Sequence, residues 1–336
     1  MYLPRNLYLS RIVKSTSNVN FGDWKLFAIL SSDTEFDPPS RNATWKRRRT
    51  DGLLDGLPRL LELCDEHEAP ATLFCEGKLV EEFPEMMNEL GKKHEIGCHS
   101  YAHEWLGTTL PPWWIPCREE FTVLTFNEKQ SILSRAAKAI EQHVGRKVRS
   151  FKAPFNSVDH PSTLRVLEQT GFDSDSSLPC YDNRSFTHPL LPTPVRHTSA
   201  NDLWRAGDMR LVEVPFMIRP RPLLFHPFDI REEVVDTIPR GMALALESVD
   251  VQCRIDHLSG RAFSMIHITS HPWEFARVRP WGEKGEENAK NLRSYLANLS
   301  GLYDVEFVTV SDFKDLWEKQ QCKHHPKGER ARSGEG

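Results

Sequence analysis

The chain has 336 residues, 39% of them hydrophobic and 27% charged, with 9 Trp and 18 Phe, a composition that excludes global disorder. A formal charge of −4 excludes a general basic face for nucleic acid. No apolar run reaches the roughly 18–20 residues of a membrane span and Met1 to Val19 lacks a signal-peptide core, so the chain reads as soluble and cytoplasmic.

In chain order, Phe27-Ala28-Ile29-Leu30 predicts a buried strand that ends at Ser31, Ser32 and Asp33. Residues 36–50 form a polar loop with a basic cluster, Lys46 to Arg49. Leu57, Leu60, Leu61 and Cys64 recur at i, i+3, i+4, i+7 and predict a helix. Ala71 to Cys75 reads as a strand closed by Gly77, and Pro84 suits the first turn of a helix carrying Met87 and Leu90. Glu95 to Cys98 is a short strand leading into His99. Ile132, Ala136, Ala139 and Ile140 mark a helix ended near Gly145; a strand from Val148 to Ala153 and a helix through Leu164 and Leu167, ended at Gly171, follow. The Pro- and Arg-rich stretch 179–228 is a long excursion, not a linker between domains. Strands Leu211–Phe216, Phe263–Thr269 and Val305–Thr309 come next, with helices near 286–299 and 311–319. Such alternation predicts an α/β fold with a parallel sheet, open or closed into a barrel. The chain divides into an N-terminal extension 1–22, one barrel domain 23–322 and a polar, disordered tail 323–336. Seven scattered cysteines without a C-x-x-C read as reduced packing thiols.

Four segments carry chemistry. In His99-Ser100-Tyr101-Ala102-His103, a helical backbone would set two imidazoles on one face, able to grip one cation of the Zn²⁺, Ni²⁺ or Co²⁺ type with one further protein ligand. No zincin motif is present, because Cys98 and Gly107 stand where a second histidine would be needed. Asp33-Thr34-Glu35, with Asp37 close behind, follows the first strand, where barrel enzymes put their active-site mouth. Asp33 and Glu35 project to the same side of an extended chain, so that one could bind metal while the other accepts a proton. In Ser150-Phe151-Lys152-Ala153-Pro154-Phe155-Asn156, the lysine is a cation that could hold Asp33 ionised. In Ser270-His271-Pro272-Trp273-Glu274-Phe275, a histidine fixed by proline is a candidate general acid. Taken singly, each has a structural explanation: hydrogen-bonded histidines, a turn aspartate, a solvated lysine, a packed loop imidazole.

In this order, and with the body from Ala71 to Gly77, then Phe83-Pro84-Glu85, then His94 to His103, the segments resemble the polysaccharide deacetylase (carbohydrate esterase 4, NodB-like) family. The resemblance runs from about Leu26 to Phe275, and the closing segment to about Trp317 also matches. It implies a distorted (β/α) barrel of about seven parallel strands and metal-dependent removal of N-acetyl groups from amino sugars. Carried across, it makes Asp33 the catalytic base, Glu35, His99 and His103 the metal ligands, and His271 the catalytic acid. Lys152 stands where the family has an arginine steadying the base, and Pro154 and Phe155 complete that motif. Asp175 matches a further acid near the pocket, and Trp273 belongs to the His-Pro-Trp-Glu form of the last motif. The acidic motif lacks the common T-F-D-D-G form, which leaves Glu35 and Asp37 open as ligand. Lysine at 152 does not carry arginine's two-pronged fork, so a less rigidly held base is expected. The implied cofactor is a divalent metal, Zn²⁺ first, and the implied partner an N-acyl amino sugar or conjugate; homo-oligomerisation is left open. Six arginines within 184–221 (Arg184, Arg196, Arg205, Arg210, Arg219, Arg221) suggest a phosphate-bearing substrate. The alternatives are an allantoinase-like hydrolase of cyclic amides, a deformylase of lipid-linked sugars, and a catalytically silent carbohydrate-binding barrel. Nucleotide and serine hydrolysis lack their motifs.

Overall fold

The computed structural model describes residues 24–37, 50–107, 124–159, 162–177, 179–181, 204–205, 209–218, 249, 253, 257, 263–277 and 282–324. The extension 1–22, the basic cluster Lys46 to Arg49, most of the 179–228 excursion and most of the tail therefore lie outside the described residues.

Strand β1 (Lys25–Thr34) is the spine. A five-residue π-helical turn, Gly52–Gly56, runs directly into α1 (Leu57–Asp65). Then come β2 (Ala71–Cys75), α2 (Gly77–Glu82), α3 (Pro84–Leu90), β3 (Glu95–Cys98) and α4 (Phe126–Val144). Helix α4 starts at a Thr125/Glu128 capping box and stops at Gly145, whose φ of 75° a residue with a β-carbon rarely adopts. β4 (Ser150–Phe151), α5 (Ser162–Thr170), β5 (Ser174–Asp175), β6 (Pro179–Tyr181), β7 (Trp204–Arg205), β8 (Val212–Glu213) and β9 (Phe216–Ile218) follow. The chain closes with β10 (Phe263–Ser270), α6 (Gly282–Leu302), β11 (Val305–Phe307) and α7 (Val310–His324).

The main sheet runs β10-β1-β2-β3-β4-β5-β8, all parallel, with β7 antiparallel at its edge. Those seven parallel strands form a half-barrel. Strand β11 pairs with the start of β1 on the edge that β2 takes further up. The predicted strand 148–153 shortens to two residues: past Lys152 the Ala153 N–H donates to Ser177 Oγ at 2.8 Å and Pro154 has none to donate. The predicted run 211–216 splits into β8 and β9 around Pro215, which has no N–H to donate.

Paired residues of a sheet share a face, so one face can be followed across the register. Phe27, Ile29, Phe74, Val212, Val214 and Met265 point inward and make one core with Val308, Val310 and Phe313. Phe313 of α7 closes the lower end against Phe27 and Phe263, with ring centroids 5.5 and 5.8 Å away. The alternate residues, Leu26, Ala28, Leu30, Cys75, Cys98 and Phe151 among them, point outward into the larger core beneath the helices. Cys64, Cys75, Cys98 and Cys253 are buried thiols, and burial pushes that of Cys64 up to about 12. Among the described residues no helix is long and apolar enough to cross a membrane.

Candidate active site

The inward face grades from apolar to ionic along each strand. On β1 it reads Phe27, Ile29, Ser31, Asp33, and Glu35 just beyond the strand; on β10 it reads Met265, His267, Thr269, and then His271. The same face brings His99 from the end of β3 beside Lys152 from the end of β4. Parallel pairing thus gathers the carboxyl ends of four strands, and their last inward side chains, at one mouth.

Glu35, His99 and His103 converge there, with one ligand atom from each all within 4.8 Å of one another. Glu35 Oε2 lies 3.4 Å from His99 Nε2 and in contact with His103 Nε2, yet it is buried without a well-directed hydrogen bond. Burial opposes ionisation of Glu35, but the two imidazoles outweigh it and hold the carboxyl well below the usual range. His99 Nδ1 sits 2.7 Å from the Lys152 carbonyl oxygen. That oxygen can only accept, so Nδ1 carries a proton and Nε2 is the nitrogen turned to the cluster. Three potential ligand atoms converging on one point suit a divalent cation of the imidazole–carboxylate class. The backbone from His99 to His103 is not helical, contrary to the reading from spacing. It is a tight turn with Ser100 at φ 65° and His103 at φ 64°.

Beside this cluster lies a second, separate ion pair. Lys152 Nζ donates to both oxygens of Asp33 at 2.6 Å and to Thr269 Oγ1 at 2.8 Å, while lying 4.5 Å from the centre of the Phe216 ring. The ammonium reaches both carboxylate oxygens and is wedged, so the looser base expected of a lysine is not found. Burial would raise the Asp33 pKa, but Lys152, with His99 and His271, keeps it below its ordinary value. His271 Nε2 faces Asp33 Oδ2 at 3.8 Å and Glu35 Oε1 at 4.0 Å, and its Nδ1 lies 2.9 Å from Glu274 Oε1. Burial would lower the His271 pKa; Glu274 foremost, then Asp33 and Glu35, raise it. Trp273 is buried and stacks on the His271 ring at 4.2 Å, and Phe155 meets His103 edge-on at 4.5 Å. Pro154 opens the 3-10 turn, Pro154–Asn156, that carries Phe155.

Two expected residues are elsewhere. Asp37 accepts from the Gly52 N–H at 3.0 and 3.2 Å, at the start of the π-helical turn, so Glu35 alone of the two meets the imidazoles. Asp175 was expected near the pocket, but it pairs in register with Phe151 and Glu213 on the outward face and is fully buried. It lies on the far side of the sheet from Lys152. Burial pushes its carboxyl up to about 6, beside Glu213 and Ser177. Of the six arginines, Arg210 is exposed and ion-pairs with Glu168 at 3.5 Å, and the side chains of the other five lie outside the described residues. Sequence reasoning missed Thr269 and Glu274. The signal for Glu274 was its i, i+3 spacing from His271 across Pro272, since such residues eclipse in a 3-10 turn.

A family model described as "Polysaccharide deacetylase" matches residues 50–174. A "Peptidoglycan deacetylase" of Helicobacter pylori (strain ATCC 700392 / 26695) is 28% identical over 226 residues, 67% of this chain and 61% of that protein; the chain thus spans under two thirds of that relative's length. A structure described as a polysaccharide deacetylase from Mycobacterium smegmatis superposes with a TM-score of 0.55 at 22% identity, covering 90% of this chain and 94% of that one. The allantoinase PuuE gives 0.54 at 15%, covering 89% and 92%. The structural likenesses establish the NodB-like fold, which serves both chemistries. Within that fold, the segment carrying His99, His103 and Lys152 is similar to the polysaccharide deacetylase family, whose model it matches.

Proposed function

We propose that the chain is a divalent-metal-dependent hydrolase that removes an N-acyl group, N-acetyl in the first instance, from an amino sugar or sugar conjugate. One observation carries the reading: Glu35, His99 and His103 share a focus beside two separately held proton carriers, Asp33–Lys152 and His271–Glu274. A silent sugar-binding barrel has no use for that division of labour. Glu35, His99 and His103 are the residues that would hold the cation, which when bound makes water more acidic and an amide carbonyl more electrophilic. Asp33, kept ionised by Lys152, takes the proton from attacking water at a carboxylate oxygen. His271, oriented by Glu274 at Nδ1, presents Nε2 to the departing nitrogen and protonates it. Trp273 packs the imidazole against rotation, and Phe155 walls the mouth beside His103.

Elemental analysis of purified protein, followed by an acetate- and formate-release screen over N-acyl sugars and peptidoglycan fragments, tests the reading. Allantoin is included because the fold also carries allantoinase chemistry. Asp33→Asn and His271→Ala are expected to lower kcat about 10²–10⁴-fold with metal content unchanged, while His103→Ala loses the metal. Full activity in either of the first two, or unchanged metal in the third, overturns the role concerned.

A further inference from the structure

The turn between the two histidines contains three residues and must fold back far enough for both rings to reach one point. It does so with left-handed backbone at Ser100 and His103, neither of them glycine. Such a conformation persists only where its surroundings fix it. Two supports come from α2, whose first N–H groups hold the turn from outside: Gly77 donates to the Ser100 carbonyl at 3.0 Å and Lys78 to that of Tyr101 at 2.8 Å. The third comes from inside the turn. A single oxygen of Glu104, Oε2, accepts from the Ser100 hydroxyl, from the Tyr101 N–H at 3.1 Å and from the Ala102 N–H at 2.9 Å.

The contact with Ala102 bears directly on the ligand. Ala102 precedes His103 and Glu104 follows it, so the hydrogen bond closes a small ring through the His103 backbone and fixes its torsions. Glu104 itself does not belong to the converging trio of Glu35, His99 and His103. We propose that Glu104 is a positioning residue that pre-forms the metal-binding turn and sets the affinity of the site. The inference rests on the metal-site reading above and names the device that makes the site ready before a cation arrives.

Calorimetric titration of the chelator-stripped full chain with Co²⁺ or Zn²⁺ alone tests it. Glu104→Ala is expected to weaken binding about 10–100-fold, as for other groups that orient a metal-ligating histidine. Glu104→Gln, which keeps an acceptor oxygen of the same reach, is expected to recover most of that loss. Saturating metal is expected to restore kcat in Glu104→Ala but not in Asp33→Asn, a rescue that general loosening of the fold would not give. Equal affinity of Glu104→Ala and wild type overturns the inference while leaving the metal site standing. Absence of binding to the wild type removes the metal-site reading, and the inference with it. Should Glu104→Ala lose its native circular dichroism, Ser100→Ala removes one arm of the same network; its expected result is a smaller loss of affinity, and none at all is again an overturning result.

Discussion

Lys152 has three N–H donors, and the two oxygens of Asp33 and the hydroxyl of Thr269 take all of them. The side chain is fully enclosed, with the Phe216 ring against the ammonium. A guanidinium is larger and planar, so Lys152→Arg is expected to lower kcat at least about tenfold by displacing Asp33, as misplacement costs in other sites. Lys152→Met removes the charge that depresses the Asp33 pKa, so the acid limb of the pH–rate profile moves to higher pH. Glu274→Gln has the opposite sense on the other limb. Glu274 raises the His271 pKa, so without its charge the alkaline limb moves to lower pH while metal content stays constant. Steady-state profiles of the three proteins check both directions. At this scale the sequence named most of the participants, and the groupings of Lys152 with Asp33 and of Glu35 with the two histidines, but not the residues that hold them from behind. Asp33, Glu35, His99, His103, Lys152 and His271 stood out as residue types at strand ends; Thr269 and Glu274 did not, because a threonine in a strand and a glutamate in a turn are commonplace until a partner lies beside them.

The element that holds His271 is a 3-10 turn, Pro272–Phe275, gripped by helices whose glycines let backbone approach backbone. A β-carbon at Gly56 would lie 1.8 Å from the Pro272 carbonyl oxygen, one at Gly52 2.7 Å from the Trp273 nitrogen, and one at Gly285 2.1 Å from the Ala276 oxygen. Gly56→Ala is therefore expected to destabilise the fold by about 1–3 kcal/mol, the usual range for overpacking. It should also lower kcat through the displaced His271 turn; thermal melts and turnover of one preparation check both. The helical periodicity of α1 was legible in the sequence, whereas the π-helical turn before it was not, since an extra residue per turn leaves no period of its own over five residues. The same limit applied to the turn from His99 to His103: a spacing of four fits a helix and fits equally a reversal held by Glu104. Strands β2 and β3 were read to the residue because apolar runs bounded by glycine or a polar residue admit few registers.

At the scale of the molecule, alternation of strand and helix was enough to foresee the parallel sheet. Which face of each short strand turns inward was not, because two residues of β5 carry no pattern, so nothing in the sequence could correct the pocket position that the resemblance implied for Asp175. Its position has a measurable effect. Burial raises its pKa to about 6, against about 3.9 in an unfolded chain. The folded state therefore binds a proton that the unfolded state releases between those values. This group's contribution is fully present below about pH 4 and is lost as the pH rises through 6, an effect on the order of 1–3 kcal/mol. Asp175→Asn, neutral throughout, should gain stability relative to wild type at pH 8, keep about half of that advantage at pH 5 and lose it near pH 4 in parallel denaturant melts. The alternation along β1 and β10 has a consequence for how such a protein can change. Asp33 and His271 share a parity with the phenylalanine and methionine far beneath them, so losing or gaining one codon upstream in either strand would turn its functional group to the helices and its greasy neighbours to the solvent-facing mouth at once. New specificity in this scaffold must then come by exchanging side chains in place or by lengthening the loops past the strand ends, never by sliding a strand.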